Sequence, residues 1–255
     1  MKISAIIPAR LNSQRFPSKI LLPIHGVPLI EHVRRRALLC KSFSEVIVAT
    51  CDNEIAATVI SNGGQATMTS QSHANGTSRC AEAAQQVDCS HVFILQGDEP
   101  LLLPRHIEAL VQAVVAEPDL PAWNLIGPLE TLDELERHSL VKCAITEPHK
   151  ILYCFRRSPH VSSFVSQRGY VRKMFGILCY RKDFLLQLAS LPVTPIEKSE
   201  SIEQMRILEN GFALSYVEVA PSLPSINLPG DVQEVLDCLS SDREQRALLK
   251  SVVAL

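Results

Sequence analysis

The sequence lacks the cysteine spacing, glycine loops and long apolar runs that mark several large protein classes. Its 8 cysteines lie at least nine residues apart, so there is no C-x-x-C pair for zinc or thiol–disulfide chemistry. The phosphate-binding patterns G-x-x-x-x-G-K-[ST] and G-x-G-x-x-G are both missing. No stretch reaches the ~18 apolar residues of a membrane span, and the apolar run at the N-terminus is too short for a signal peptide. We therefore expect a cytoplasmic protein with reduced thiols.

The chain also lacks an excess of either charge. It has 25 basic and 27 acidic residues among 255, a net charge of −2. Without a global field it has no general attraction for nucleic acids or anionic membranes, so we expect neither as a partner. Hydrophobic residues make up 46% of the chain and charged residues 20%, which is enough for a sizeable core and excludes the disordered and low-complexity classes.

Apolar strands alternate with helices through the first half of the chain. The pattern predicts strands at 2–8, 45–50, 65–68 and 91–95, and helices at 28–39, 53–61, 77–87 and 104–116. Because the strands are continuously apolar, they favour an α/β fold, with a mostly parallel sheet covered by helices on both faces. Ligands of such sheets bind outside the carboxyl ends of the strands. We therefore expect residues 8–19, 50–52 and 96–100 to share one edge.

The pattern is looser after residue 117. It predicts strands at 141–146, 151–155, 175–180 and 214–219, and helices at 131–137, 181–191, 199–210 and 230–240, the last being the final helix. No internal repeat or flexible linker is visible. The second half is interpreted as an addition to the same sheet.

Three cations follow the first strand within ten residues, namely Arg10, Arg15 and Lys19. One guanidinium group can donate two parallel hydrogen bonds to phosphate oxygens, and a lysine ammonium group acts as a point charge. This loop therefore suits a polyphosphate. A solvated basic loop is the alternative interpretation of these residue types.

This loop closely resembles the P-A-R-x-x-S-x-R-x-P-x-K signature of the cytidylyltransferases that activate sugar acids. Further segments resemble motifs of the 3-deoxy-manno-octulosonate (Kdo) cytidylyltransferase family, also called CMP-Kdo synthetases. They are GVPLI at 26–30, VIVAT at 46–50, the M-T-x-x-x-H-x-x-G-T-x-R pattern at 68–79, QGDEP at 96–100 and E-Q-x-R at 203–206. With five matches in the family's order, the chain is identified as a member of this family.

The resemblance implies a Rossmann-like nucleotidyltransferase fold with a smaller acceptor and dimerisation subdomain. The chain would form one cytidylyltransferase domain over 1–255, with a nucleotide-binding half at 1–117, an acceptor-binding and dimerisation part at 118–225 and a C-terminal return at 226–255. The implied reaction is transfer of CMP from CTP to a sugar acid, with Mg²⁺ as cofactor and release of pyrophosphate, in lipopolysaccharide biosynthesis. A homodimer is the assembly that the resemblance implies.

The resemblance also assigns roles to individual residues. Catalytic roles fall to Arg10, Lys19 and Asp98. The nucleotide site would comprise Pro8, Ala9, Arg10, Arg15, Lys19, Thr69, His73, Gly76, Thr77, Arg79 and Gln96. The acceptor site would comprise Arg156, Arg157, Met174, Glu203 and Gln204, and the metal ligands would be Asp98 and Asn227. Asp98 is expected at a solvated edge, where a carboxylate facing a triphosphate is a natural Mg²⁺ ligand, although Gly97-Asp98 also suits a turn.

The sequence departs from the family on the acceptor and metal side. Asn227 replaces a metal-binding aspartate, Met174 replaces a histidine, Arg156 adds a second arginine beside Arg157, and Cys51 replaces an aspartate. One hypothesis is an active enzyme for Kdo or for another acid, such as an amino-Kdo, another ulosonate or a phosphonate. The other is a CTP-binding relative with little activity. An enzyme for N-acylneuraminate or other nucleotide sugars fits the QGDEP and H-x-x-G-T-x-R motifs less well.

Overall fold

The computed structural model describes residues 1–13, 15–158 and 163–255. The chain forms two compact units, which are described separately. The first comprises residues 1–108 and 223–255, and the second comprises residues 109–222. None of the helices in the described ranges has the length and apolar character needed to traverse a bilayer.

The first unit contains a parallel sheet of four strands in the order β5-β4-β1-β6. The strands are β1 (Ile3–Ala9), β4 (Glu45–Thr50), β5 (Gln65–Met68) and β6 (His91–Leu95), and a small hairpin is formed by β2 (Pro23–Ile24) and β3 (Val27–Pro28). All seven residues of β1 and all five of β6 are buried. The sheet is therefore covered on both faces, as its continuous apolar strands predict.

The helices of this unit alternate with the strands. They are a 3₁₀ turn (Lys19–Leu21), α1 (Leu29–Leu38), α2 (Asn53–Ser61), α3 (Gly76–Ala84) and α4 (Pro104–Ala116), whose middle contains the boundary after Glu108. The connections through α1 and α2 move along the sheet in one direction, and the connection through α3 crosses back. Because such crossovers are right-handed, α3 lies on the face opposite α1 and α2. The predicted α/β fold with helices on both faces is confirmed.

The C-terminal segment returns to the first unit as α10 (Asp231–Ser241) and α11 (Arg243–Ala254). Its apolar side chains join those of the hairpin, α1 and the segment after the QGDEP motif in one cluster. The buried members are Ile24, Leu29, Leu101, Ile226, Val235 and Leu239. This packing places residues 225–231 next to the segment that follows β6.

Helix α1 carries an unusually polar buried face. The Glu31 carboxylate is fully buried and accepts hydrogen bonds from Arg34 and Arg35 at 2.6–3.0 Å. His32 is also fully buried, and its Nε2 lies 2.8 Å from the Ile24 carbonyl. Burial lowers the pKa of His32 to about 4, so its ring is neutral at pH 7 and donates from Nε2.

The second unit has five strands in the order β10-β7-β11-β9-β8. They are β7 (Ala122–Gly127), β8 (Lys142–Thr146), β9 (Lys150–Phe155), β10 (Val171–Arg181) and β11 (Ser215–Glu218). Its helices are α5 (Leu132–Glu136), α6 (Phe164–Gln167), α7 (Lys182–Ser190), α8 (Pro195–Glu200) and α9 (Met205–Glu209). Within this unit β11 and β7 pair in parallel, and the pairs β10–β7, β10–β8, β11–β9 and β8–β9 are antiparallel.

Two helix predictions in the later part of the chain are wrong. The predicted helix at 199–210 is two helices, α8 and α9, because Ser201 adopts a left-handed conformation with φ of 54° and ends α8. The predicted final helix at 230–240 is followed by a further one, α11, whose first turn is capped by the Asp242 carboxylate at 2.7 Å from Gln245 N. Asp231 is the first residue of α10, after the N-cap residue Gly230. Strand β7 was not predicted.

Candidate functional site

The carboxyl ends of the parallel strands bring the predicted nucleotide residues together. A Cβ placed on Gly76 would lie 3.1 Å from Pro8 Cγ and 3.3 Å from Gln96 Nε2, so three segments distant in sequence are in contact. A Cβ on Gly97 would lie 2.9 Å from Ile20 Cδ1 and 3.3 Å from the Pro8 carbonyl oxygen. A side chain at Gly97 would clash with Ile20, and one at Gly76 would be crowded against Pro8 and Gln96, so glycine allows these segments to pack closely. The prediction that the segments following β1 and β6 lie at the same edge of the sheet is confirmed.

The basic loop is held in place from several sides. The Asp52 carboxylate, just after β4, accepts a hydrogen bond from Leu11 N at 2.8 Å. The Leu11 carbonyl accepts from Ser18 N at 2.9 Å, which closes the loop on itself. Arg10 is exposed, and its Nη1 donates to the Ala74 carbonyl at 3.3 Å. The other predicted nucleotide residues of this edge are Ala9 and Thr77, both buried, and Arg15, which is exposed.

Lys19 and Asp98, two of the three predicted catalytic residues, form an ion pair. Lys19 Nζ lies 2.7 Å from Asp98 Oδ2 and donates a second hydrogen bond, also of 2.7 Å, to the Ile226 carbonyl. The Lys19 side chain is only 7% exposed and that of Asp98 24%. The expectation that Asp98 stands at a freely solvated edge is therefore wrong. Its charge is already matched by a buried ammonium group.

Asn227, the predicted second metal ligand, is adjacent to this pair along the chain. Ile226 N donates to the main-chain carbonyl of Asp98 at 3.0 Å, which ties the two segments together. Asn227 Nδ2 donates to Ser225 Oγ at 2.9 Å, and its main-chain N donates to Asp231 Oδ2 at 2.7 Å. Its side-chain oxygen, Oδ1, has no hydrogen bond within the described part of the chain. No group of three or more His, Cys, Asp or Glu suited to a metal ion occurs among residues 1–13, 15–158 and 163–255.

The segment at 68–79 is braced by its own side chains. His73 Nε2 is hydrogen-bonded to Glu82 Oε2, and the same carboxylate oxygen accepts from Ser70 N at 3.0 Å. The hydrogen bond from His73 holds the pKa of Glu82 below its usual value, so this carboxylate is ionised at pH 7. Arg79 is buried and donates from Nη1 to Thr69 Oγ1 at 2.5 Å. Two predicted nucleotide residues, Thr69 and Arg79, thus bind each other.

Arg156 is half-buried and bound to neighbouring loops of the second unit. Its guanidinium group donates to four main-chain carbonyls at 2.8–3.4 Å, those of His138, Ser139, Glu200 and Ser201. A guanidinium group has five N–H donors, and these contacts involve all three of its nitrogens. The structure therefore gives Arg156 a role in holding these loops, and its contact with the acid substrate stays a prediction.

The other predicted acceptor residues also belong to the second unit. Gln204 Nε2 donates to Asn124 Oδ1 at 3.2 Å, and Asn124 is itself fully buried. Met174 is buried in β10, and Arg157 follows β9 and is exposed. Glu203 is half-buried at the start of the E-Q-x-R motif. The arginine of that motif, Arg206, forms a buried ion pair with Glu197 at 2.6 Å, a structural role.

Three residues that support the site were not predicted from the sequence. Asp52 holds the basic loop, Glu82 holds His73, and Asn124 holds Gln204. Asp52 could have been found, since it follows β4 at the same edge of the sheet as the basic loop. Glu82 and Asn124 are separated from their partners by nine and 80 residues, and no pattern in the sequence links them.

Comparison with known proteins places these features in a family. The profile of the cytidylyltransferase family matches residues 4–218. The chain is 38% identical over 251 residues to a 3-deoxy-manno-octulosonate cytidylyltransferase of Geobacter metallireducens, covering 94% of this chain and 98% of the relative. It is 35% identical over 246 residues to the protein of that name from Escherichia coli, covering 96% and 99%.

A solved structure is similar over almost the whole chain. It is CMP:2-keto-3-deoxy-manno-octonic acid synthetase complexed with CTP, with a TM-score of 0.87 and 34% sequence identity. The superposition covers 95% of this chain and all of the other. The similarity therefore includes both compact units and is not confined to the nucleotide-binding strands.

Proposed function

The chain belongs to the cytidylyltransferase family, and from this premise we propose that it transfers CMP from CTP to Kdo and releases pyrophosphate. The observation that carries the proposal is the meeting of the basic loop, the 68–79 segment and the QGDEP segment at one edge of the sheet. Relatives named for this reaction match more than nine-tenths of the chain.

The nucleotide is held by charge and by close packing. Arg10 is exposed at the sheet edge, where its guanidinium group binds phosphate oxygens. Lys19 supplies a second cation from a buried position, where its ammonium group is paired with Asp98. Gly76 allows the 68–79 segment to approach Pro8 and Gln96 closely, and His73 lies in this segment to contact the base or the ribose.

The family is generally dependent on a divalent metal ion, and the residues present fit one by type. Asp98 offers a carboxylate and Asn227 an amide oxygen without a hydrogen bond, and hard cations such as Mg²⁺ prefer oxygen ligands. These two residues would hold the metal together with phosphate oxygens. Bound there, it would neutralise phosphate charge and lower the pKa of the attacking hydroxyl group.

The reaction is an in-line displacement at phosphorus. The anomeric hydroxyl oxygen of Kdo forms a bond to the α-phosphorus of CTP, its proton is lost, and the bond to the β-phosphate oxygen breaks. Pyrophosphate leaves with that oxygen. Such reactions depend on positioning and on stabilisation of charge, so no covalent enzyme intermediate is required. Arg10 and Lys19 stabilise the charge that develops on the leaving pyrophosphate.

The substitutions at Met174 and Asn227 favour a second candidate, in which the same chemistry acts on a different acid. An amino-Kdo, another ulosonate or a phosphonate would be the acceptor in that case. Of the two neighbouring arginines, Arg156 already donates to main-chain carbonyls, whereas Arg157 is exposed and could bind an anionic group of such an acid. Pyrophosphate release from CTP and Mg²⁺ with a panel of acids decides between the candidates. A rate with Kdo at or above that of every other acid is expected.

Nucleotide choice tests the proposal independently of the acceptor. We expect calorimetry with Mg²⁺ to show clear preference for CTP over ATP, GTP and UTP. Equal or tighter binding of a purine triphosphate would contradict the proposed function. We propose the cytoplasm as the location, which the eight free cysteines support, and the homodimer stays a prediction.

A further inference from the structure

Asn124 joins the two segments of the second unit to which the resemblance assigns acceptor residues. It lies in β7 and is fully buried. Its Nδ2 donates to the Phe175 carbonyl at 3.0 Å, one residue after Met174 in β10. Its Oδ1 accepts from Gln204 Nε2, in the E-Q-x-R motif, at 3.2 Å. A single side chain that no motif marks is therefore bonded to both segments.

The Asn124 amide is fixed in one orientation by main-chain carbonyls. Besides the Phe175 carbonyl, its Nδ2 donates to the carbonyl of Leu125 at 2.7 Å. A carbonyl oxygen only accepts hydrogen bonds, so the end of the amide that faces two carbonyls must be the NH2 group. If the amide turned over, Oδ1 would face both carbonyls without a hydrogen between them, which is costly at a fully buried position. Oδ1 must therefore face Gln204.

The carbonyl of Phe175 lies where the pairing between β10 and β7 is irregular. Met174 is paired with Ile126. The next pair is Leu178 with Asn124, so four residues of β10 span the same distance as two residues of β7. An irregularity of this kind disrupts the regular ladder of main-chain hydrogen bonds. The Asn124 side chain supplies a donor at this point, which ties its orientation to the backbone of β10.

The fixed orientation is passed on to Gln204. Because Asn124 presents an oxygen, the Gln204 amide must present an N–H group, and it cannot turn over either. Gln204 is half-buried, and its Oε1 has no hydrogen bond within residues 1–13, 15–158 and 163–255. This oxygen is held in a position to accept a hydrogen bond from a ligand, and a neutral hydroxyl group suits it. A carboxylate or phosphate oxygen would be repelled.

We propose that Asn124 is a positioning residue for the acceptor: by fixing the Gln204 amide, it directs Oε1 to accept a hydrogen bond from a hydroxyl group of the sugar acid. Asn124 is fully buried and touches no substrate, so it acts only through Gln204. The inference rests on the proposed transfer of CMP to Kdo and on the predicted place of Gln204 in the acceptor site. It gives that place a polarity, since Gln204 accepts there and the carboxylate of the acid is bound elsewhere.

Three single variants test this role. Gln204→Glu keeps the shape and the oxygen but removes the N–H group, so that two oxygens face each other across the contact with Asn124. Asn124→Leu keeps the approximate volume, removes that opposing oxygen and frees the Gln204 amide to turn. Gln187→Glu is the matched control, because it makes the same chemical change at an exposed position of α7 in the same unit.

Initial rates of pyrophosphate release are measured against Kdo at saturating CTP and Mg²⁺, and against CTP at saturating Kdo. We expect Gln204→Glu to raise the KM for Kdo at least ~10-fold and Asn124→Leu to raise it ~5-fold, with the KM for CTP unchanged in both. Gln187→Glu should alter neither. In the double variant the KM for Kdo should rise less than the product of the two single effects, because no oxygen then opposes the carboxylate.

Kdo analogues that each lack one hydroxyl group, other than the anomeric one, identify the group that Gln204 binds. For one analogue, the KM with the wild-type chain should be at least ~5-fold above that of Kdo, and this difference should vanish with Gln204→Leu. If the difference is the same for both proteins with every analogue, Gln204 does not bind a hydroxyl group and the inference is overturned.

A wild-type KM for Kdo in Gln204→Glu overturns the inference, and this result decides it even if Asn124→Leu fails to fold. Single effects that multiply without coupling in the double variant also overturn it, as do equal effects on the KM for Kdo and for CTP. If the wild-type chain releases pyrophosphate with Kdo but the two positions are not coupled, only this inference fails. If the wild-type chain releases none with Kdo or any other acid, the proposed function fails and the inference fails with it.

Discussion

The Lys19–Asp98 ion pair predicts that Asp98→Asn affects stability as well as catalysis. Lys19 Nζ has two partners in the structure, Asp98 Oδ2 and the Ile226 carbonyl. Asparagine keeps an oxygen that can accept from Nζ but removes the charge. A hydrogen bond to a charged group contributes about 1.5–3 kcal/mol, against about 3–5 kcal/mol for breaking a fully buried pair. Because Asp98 is 24% exposed, we expect a loss of about 1.5–3 kcal/mol in the free energy of unfolding.

A double-mutant cycle measures the coupling free energy between Lys19 and Asp98 directly. Urea unfolding of wild type, Asp98→Asn, Lys19→Met and the double variant should give a coupling of about 1–3 kcal/mol, because Lys19→Met is less costly once the charge of Asp98 is gone. Asp88→Asn, in the exposed pair with Lys2, serves as the matched control and should leave the unfolding free energy unchanged. A coupling near zero would show that the pair contributes nothing and that the buried ammonium group is stabilised in another way.

The catalytic effect of Asp98→Asn must be measured at a temperature where the variant is folded. Under that condition kcat should fall at least ~100-fold, in line with the loss of a charged metal ligand. Near-wild-type turnover would place the metal elsewhere.

Three further predictions concern other parts of the first unit. Arg10→Ala should weaken binding of CTP by about 1.5–3 kcal/mol and leave binding of cytidine unchanged; equal losses for both ligands by calorimetry would make the loop structural. Glu82→Gln should raise the KM for CTP ~5-fold, since it loosens His73 by about 1 kcal/mol, without changing the KM for the acid; an unchanged KM for CTP would count against a role of His73. His32 has a folded pKa of about 4 against an ordinary value of 6.5, so wild type should lose stability as pH falls through that window, on the order of 3 kcal/mol relative to His32→Gln. Parallel stability curves for the two proteins between pH 6.5 and 4 would contradict it.

The parallel part of the fold was predictable because each of its segments carries its own signal. The strand at 91–95, the helix at 53–61 and the helix at 104–116 match the structure residue for residue. Local periodicity and strong turn residues determine these elements without help from distant contacts.

The second unit was harder to predict because its elements depend on tertiary contacts. Ser201 gives no sequence signal for the left-handed turn that separates α8 from α9, and that turn leads into the segment in which Arg206 pairs with Glu197. Strand β7 carries a tryptophan and an asparagine, and Asn124 is tolerated because its amide is hydrogen-bonded to two main-chain carbonyls. Such compensation is visible only in three dimensions.

The predicted site residues divide in the same way. Motifs located the basic loop, the 68–79 segment and Asp98, whose meeting at one edge follows from parallel strand order. Nothing in the sequence indicated the contacts of Arg156, whose guanidinium group donates to carbonyl groups of neighbouring loops. An arginine that binds main-chain carbonyls and an arginine that binds substrate look the same in a single sequence.

The central claim, transfer of CMP from CTP to Kdo, is tested most directly by phosphorus NMR of one reaction mixture. The purified chain is incubated with CTP, Mg²⁺ and Kdo, and a matched sample contains Asp98→Asn. The account predicts that the triphosphate signals disappear in the wild-type sample, replaced by equal amounts of pyrophosphate and of a phosphodiester joining CMP to Kdo. Intact CTP in a wild-type sample that is folded and binds CTP, or formation of free CMP without the phosphodiester, would contradict it.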